Sequence, residues 1–467
     1  ISAAGIPGAS RIIVAEYLAQ RDYANVRQVF RVSLRLMAVV GLVLAAALVM
    51  AAGWLVENGV IKDARAYYAL LALTPAIFFA TILASFRGYF QGHQLMTPPA
   101  VSQIVEQFIR VVTMVVLAYV LLPYGLEFAA AGAAFGAVPG SLTGLVVLGG
   151  FYRYYKKQWR DEESALPGAQ LTPARRLIKR LLLLALPVSC ANVIVPVTSS
   201  IDVLLVPKYL LAAGFSVKEA TTQFGYLAGM AQPLLLMATI PTMSLATSLV
   251  PAVSEAMALK RWSLIEEKLA TAMKLCCLIT VPAAVGMSAL AGPISRLLYG
   301  TGEAAAAIMH SGPAIWFLGL QQVTTGMLQG MGHTNLPMLH MLAGIVAKLI
   351  AVCQLTNAEY GIAGAAWATN INFGVTAALN ILALQYFKIK FHWLSICKII
   401  FAALIMGAAA QALHGLLAGF NYTLATLAAL AGAGVVYAAL LPLLRIISVA
   451  ELKQLPLVKK LAQKLRK

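Results

Sequence analysis

The chain has 467 residues, of which 61% are hydrophobic and only 11% charged, with a formal net charge of +18. A water-soluble fold cannot hide that much apolar surface. The apolar runs are long and continuous rather than alternating over short segments, which excludes a β-barrel and predicts an all-α polytopic membrane protein. The basic excess sits in short connections and in the tail rather than in a separate cationic domain, so no nucleic-acid partner is expected and membrane lipids are.

Thirteen candidate spans follow in chain order: 1–19, 33–56, 67–90, 98–122, 128–151, 177–208, 223–257, 270–299, 307–330, 336–356, 361–386, 396–416 and 422–446. Several exceed the roughly 20 residues a bilayer requires and are expected to tilt, bend or protrude. Pro187 and Pro196 in the sixth, and Pro233, Pro241 and Pro251 in the seventh, mark kinks. Alternate connections are basic: Arg21 to Arg35, Arg153 to Arg180, Lys260 to Lys274, Lys388 to Lys398, and the tail. These are expected on the cytoplasmic side, so the first span runs from outside to inside. The five cysteines, Cys190, Cys276, Cys277, Cys353 and Cys397, show no metal-ligand spacing and read as small buried hydrophobes.

The sequence repeats itself. AEYLAQRDYANVRQVFR (15–31) matches SEAMALKRWSLIEEKLA (254–270), aligning Glu16 with Glu255, and RGYFQGHQLMTPP (87–99) matches GMLQGMGHTNLPM (326–338). PYGLEFAAAGAAFG (123–136) and YRYYKK (152–157) also recur, in the same order, as EYGIAGAAWAT (359–369) and LQYFKIK (384–390). The second copy carries about 52 residues ahead of the point equivalent to Ile1. That excess predicts one further N-terminal helix, absent from this chain. The expected architecture is two parallel six-helix bundles around a central cavity, related by an axis along the membrane normal, plus two C-terminal helices. The expected parts are 1–151 (an incomplete N-terminal half bundle), 152–176 (cytoplasmic linker), 177–387 (C-terminal half bundle), 388–446 (two extra transmembrane helices) and 447–467 (basic cytoplasmic tail, lying on the inner leaflet).

An ionisable side chain inside a membrane costs about 2.5–3.5 kcal/mol on insertion scales and should face protein or a wet cavity. Between 98 and 122 the polar set is Gln103, Glu106, Gln107 and Arg110, whose spacings of 3, 4 and 7 place them on one helical face, with Ser102 beside the stripe. Arg87 ends the preceding span, within reach of Glu106 across the turn. Two readings fit: a cavity wall presenting guanidinium to a diphosphate, or an ion pair locking two helices. Lys348 falls near the repeat counterpart of Arg110 and reads as a cavity cation or as a side chain snorkelling to an interface. Arg11 is a cavity cation or a packing residue. Asp202 is an ion-coupling candidate or the partner of a lysine. Glu16 and Glu255 read as structural. Asn192, Gln232, Gln329 and Asn370 read as interhelical hydrogen-bonding groups ahead of headgroup contacts. His93 and His333 read as loop residues; no metal site is expected.

GIPGASRIIVAEYLAQRDY together with RGYFQGHQLMTPPAVSQIVEQFIRV resembles the stage V sporulation protein B branch of the polysaccharide exporters, within the multidrug/oligosaccharidyl-lipid/polysaccharide exporter superfamily. PVSCANVIVPVTSSIDVLLVPKYL, which carries Asp202, is similar to the first helix of that superfamily's second half. The resemblance implies a flippase for undecaprenyl-diphosphate-linked saccharide, a lipid II-like peptidoglycan precursor, working by alternating access at the bacterial cytoplasmic membrane. It implies a sporulation role and cell-wall synthesis enzymes as partners. The candidate substrate contacts are Arg11, Arg87, Gln103, Glu106, Arg110 and Lys348, read from their charge or polarity within apolar spans. Basic residues that the lipid II flippases place early in the second half are missing from YLAGMAQPLLLM (226–237). No cofactor is expected; an ion gradient or the membrane potential is the expected drive. The alternative is a cation-coupled multidrug exporter of the same fold, which the basic intramembrane balance disfavours. A glycosyltransferase is disfavoured because no paired-carboxylate, Ser/His/Asp or Gly-rich phosphate motif is present, so no enzyme activity is expected.

Overall fold

The computed structural model describes residues 2–57, 66–164, 171–389, 391, 393–419 and 421–446. The tail expected over 447–467 lies outside them. Among the described residues the chain is all-helical. The first six helices are α1 (Ser2–Ala19), α2 (Tyr23–Glu57), α3 (Ala66–Gly92), α4 (Thr97–Leu121), α5 (Leu126–Phe135) and α6 (Ala137–Ser164). Then come α7 (Ala174–Ala212), α8 (Val217–Gly225), α9 (Gln232–Ala258), α10 (Trp262–Ala289) and α11 (Ala291–Tyr299). The last five are α12 (Ala305–Gly330), α13 (Asn335–Leu355), α14 (Gly361–Tyr386), α15 (Trp393–Leu417) and α16 (Tyr422–Leu443). Ten described segments are long and apolar enough to cross a membrane. Their outer faces carry exposed Val39, Leu42, Met50, Ile104, Phe108, Val115 and Leu204, as lipid-facing helices require.

All thirteen expected spans appear as helices, although α1, α12 and α14 are not among the ten long and apolar enough to cross a membrane, and three spans differ locally. The fifth is two helices broken between Phe135 and Ala137, and the eighth is broken at Leu290. The seventh joins α8 to α9 through a π-helical turn, Tyr226–Ala231, and opens on a capping box in which the Ser216 hydroxyl accepts from the Glu219 amide. The basic stretch expected to link the halves is largely helical, carried by the ends of α6 and α7. Cys276 and Cys277 are buried, but Cys190, Cys353 and Cys397 are exposed, against expectation. In lipid an outward-facing thiol loses nothing by its exposure.

The chain forms two compact units. The first contains 1–193 with 247–265 and 329–338; the second contains 194–246, 266–328 and 339–467. Each has its own apolar core. In the first, Ile6, Ile13, Val29, Phe30 and Tyr89 pack with Leu177 and Leu181 of α7. In the second, Val206, Leu235, Ile308, Ile315, Val352 and Ala366 form the centre.

Small residues set the helix spacing in the first unit. A Cβ on Gly88 would lie 2.7 Å from the Pro7 carbonyl oxygen, and one on Gly92 would lie 2.6 Å from Val14 Cγ1, so α3 touches α1 backbone to backbone. The Gly-x-x-x-Gly of RGYFQG is therefore a packing device. Its repeat counterpart behaves alike: a Cβ on Gly330 would meet the Val250 carbonyl oxygen at 2.8 Å. On α4 the same principle operates through Gly136 and Gly140. Their added Cβ atoms would lie 2.8 Å from the Met114 nitrogen and 3.0 Å from Arg110 Cβ. This contact seats the α4 polar stripe against the start of α6.

Candidate functional site

The first charged cluster joins α3 to α4. Pro98 and Pro99 occupy the first turn of α4, where the missing amide hydrogens cost nothing, and launch the helix back along α3. Glu106 then faces Arg87. Arg87 Nη2 donates to Glu106 Oε2 at 2.6 Å and to Ser102 Oγ at 3.1 Å. One turn further on, Arg110 Nη2 donates to Glu106 Oε1 at 3.0 Å. The Glu106 side chain is only 7% exposed, whereas Arg87 and Arg110 retain 23% and 39%. Two guanidinium groups share one carboxylate, so the cluster keeps a formal surplus of one positive charge. Arg110 Nε is buried without a hydrogen-bond partner.

The α4 stripe is not uniform. Ser102 and Glu106 turn inward, but Gln103 and Gln107 are exposed, with Arg110 between the two environments. The shared face predicted from spacing straddles the edge of the helix–helix contact. Gln103 is thus accessible but takes no part in the ion cluster.

Arg11 lies in the middle of α1. Its Nη2 donates to Gln329 Oε1 at 3.3 Å, and its Nε is buried without a partner. No carboxylate pairs with Arg11 among the described residues. Gln329 is the second-repeat counterpart of Gln91, one residue ahead of the packing glycine Gly330, and that repeat was the signal for its importance. A neutral amide satisfies one arm of the guanidinium and leaves its charge uncompensated.

Asp202, read as an ion-coupling candidate or the partner of a lysine, pairs with Lys348 in the second unit, and Lys348 is enclosed by protein rather than snorkelling to an interface. Lys348 Nζ donates to Asp202 Oδ2 at 2.7 Å, with the side chains 2% and 5% exposed. The other carboxylate oxygen, Oδ1, is buried without a partner. A second polar network in this unit was not foreseen. Asn380 Nδ2 donates to Thr324 Oγ1 and Thr325 Oγ1 at 3.1 and 3.0 Å, and Asn380 Oδ1 lies 2.8 Å from His340 Nδ1. The visible signal was polar side chains recurring inside apolar runs.

Most of the remaining candidates bind protein groups. Arg180 of α7 pairs with Glu16, and Gln94 donates to Glu255. Asn370 donates to the His310 carbonyl of another helix, as expected, but Asn192 donates to the Val188 carbonyl of its own helix, α7, and so makes no interhelical bond there. His93, just beyond α3, stacks on Trp159 with centroids 4.2 Å apart. Burial pushes its pKa down to about 3, so at neutral pH it is an uncharged aromatic plate.

The geometry thus separates a cation-rich first unit from a charge-balanced pair in the second. Comparison with known proteins shows the family and the fold. The family described as "Polysaccharide biosynthesis protein" matches residues 1–215, and MatE matches 227–352. Stage V sporulation protein B of Bacillus subtilis (strain 168) is 30% identical over 98% of this chain and 88% of its own length. The lipid II flippase MurJ of the same organism is 25% identical, over 75% of this chain and 67% of its own. Among solved structures, an outward-facing multidrug resistance MATE family transporter of the MOP superfamily matches with a TM-score of 0.65 and 18% identity, over 82% of this chain and 83% of that one, which shows the shared fold. The chain is therefore a multi-pass bacterial membrane protein that belongs to the stage V sporulation protein B-like polysaccharide exporters of the multidrug/oligosaccharidyl-lipid/polysaccharide exporter superfamily.

Proposed function

We propose that this chain is a flippase that carries an undecaprenyl-diphosphate-linked saccharide, a lipid II-like peptidoglycan precursor, across the cytoplasmic membrane. The observation that carries the reading is the uncompensated positive charge of the first unit. Among the described residues Arg11 has an amide where an ion pair would have a carboxylate, and Arg87 and Arg110 share the one carboxylate of Glu106. A guanidinium that is only partly exposed inside a membrane bundle is retained at a cost in desolvation unless something negative visits it. A diphosphate supplies that charge with acceptor oxygens spaced for bidentate bonds. The saccharide would travel along the polar stripe that includes Gln103, while the polyprenyl chain stays in lipid. Exposure of these residues alternately to the two membrane faces would complete transport, driven by an ion gradient or the membrane potential. Lys348 would join cargo binding only if it left Asp202. The similarity to a sporulation protein and to a lipid II flippase supports a place in cell-wall assembly, beside the enzymes that make and polymerise the precursor.

A binding comparison tests the charge preference. Detergent-purified protein is titrated with undecaprenyl diphosphate and with tetraphenylphosphonium, a lipophilic organic cation. The anionic lipid is expected to bind at least tenfold more tightly, and to weaken as salt screens the accessible guanidinium groups. Tighter binding of the phosphonium would favour the multidrug-exporter alternative.

A further inference from the structure

The Asp202–Lys348 pair carries an inference that does not depend on the cargo. A lone carboxylate inside a membrane bundle must be protonated or neutralised by a cation, because the charged form loses its hydration there. In α7 the neutralising group is already present. The ammonium of Lys348, on α13, sits 2.7 Å from Oδ2. Both side chains are almost completely enclosed, and Oδ1 is left buried with no donor. An ammonium head has the charge of an alkali cation and is close to potassium in size. One carboxylate oxygen engaged by it, and one still open, describes a monovalent-cation site occupied by the protein's own side chain.

We propose that Asp202 is a monovalent-cation site whose resident cation is the Lys348 ammonium. The wild-type protein then has no use for free sodium or potassium at this position. Shortening Lys348 to alanine would leave both the carboxylate and the volume vacated by the lysine. The resulting site would take a small free cation, with ammonium the best mimic and sodium or potassium next. Choline would be too large. Asp202 would thus couple α7 to α13 through a tether rather than through an exchangeable ion.

The experiment measures thermal unfolding of detergent-purified protein in ammonium, potassium, sodium and choline chlorides at equal ionic strength. Wild type is expected to unfold within about 1 °C in all four. Lys348→Ala is expected to unfold earlier in choline and to regain about 2 °C or more, saturably, in ammonium, sodium or potassium, as ligand binding to the folded state requires. The double variant Asp202→Asn/Lys348→Met, neutral at both positions, is expected to be indifferent to the cation. A saturable sodium or potassium shift in wild type would overturn the proposal, because the site would then be open. So would a Lys348→Ala protein with equal midpoints in every salt. If Lys348→Ala yields folded protein only when purified in ammonium, sodium or potassium, that supports the proposal; failure in all four salts while the double variant folds counts against it. A flat wild-type response combined with lost anion binding would sink the flippase reading and leave this one standing.

Discussion

Glu106→Ala is expected to destabilise the protein by about 2 kcal/mol while tightening its binding of undecaprenyl diphosphate at least threefold. Removing one partner of a fully buried ion pair costs about 3–5 kcal/mol, because the other charge is left uncompensated. Here Arg87 and Arg110 keep 23% and 39% of their side-chain exposure, so solvent softens the loss. Arg87 would retain Ser102, and Arg110 would lose its only described partner, Glu106. The same deletion raises the formal surplus of the cluster from one positive charge to two, which draws a diphosphate more strongly. Denaturation midpoints and lipid titrations on one preparation measure both effects. If the cluster were only a lock between α3 and α4, stability would fall and affinity would not rise. Glu106→Gln is expected to lose less stability, since an amide oxygen still accepts from one arginine.

Arg11→Gln is expected to act with the opposite signs. A charge-assisted hydrogen bond to phosphate contributes about 1.5–3 kcal/mol, so its loss should weaken binding of the lipid diphosphate roughly 10- to 150-fold. Stability should hold or rise. The substitution removes a guanidinium that no described carboxylate balances and that leaves Nε unsatisfied, at the loss of one long hydrogen bond to Gln329. A residue selected for packing would lose stability when replaced; one kept for an anionic visitor should not. The two variants together separate the structural share of the arginines from the binding share, by thermal unfolding read beside affinity.

The fold was legible because lipid leaves few choices. Long apolar runs become helices, and the positions of the spans follow from where polarity interrupts them. The Arg87–Glu106 contact was also legible, since both lie near one tight turn and antiparallel neighbours bring them level. Asp202 and Lys348 are 146 residues apart in sequence, and nothing local to either says which helix it will face. The breaks near Gly136 and at Leu290 were hidden for a related reason: tertiary packing decides where an apolar run divides. Periodicity placed Gln103 and Gln107 on the face of Glu106 but did not say where that face meets its neighbour. The glycines of RGYFQG belong to the stretch that carries the repeat and the family resemblance. Close approach to Pro7 and Val14 gives them a packing task, while Arg87, the first residue of that motif, holds the ion cluster.

The central claim is movement of an anionic lipid-linked saccharide past these guanidinium groups. The most direct measurement follows a fluorescent undecaprenyl-diphosphate saccharide in sealed vesicles, with a membrane-impermeant quencher reporting how much label reaches each leaflet. Vesicles carrying the wild-type protein are expected to exchange label well above protein-free vesicles, and those carrying Arg11→Gln at least tenfold more slowly than wild type. Wild-type exchange no faster than in empty vesicles, or equal exchange with Arg11→Gln, would contradict the account.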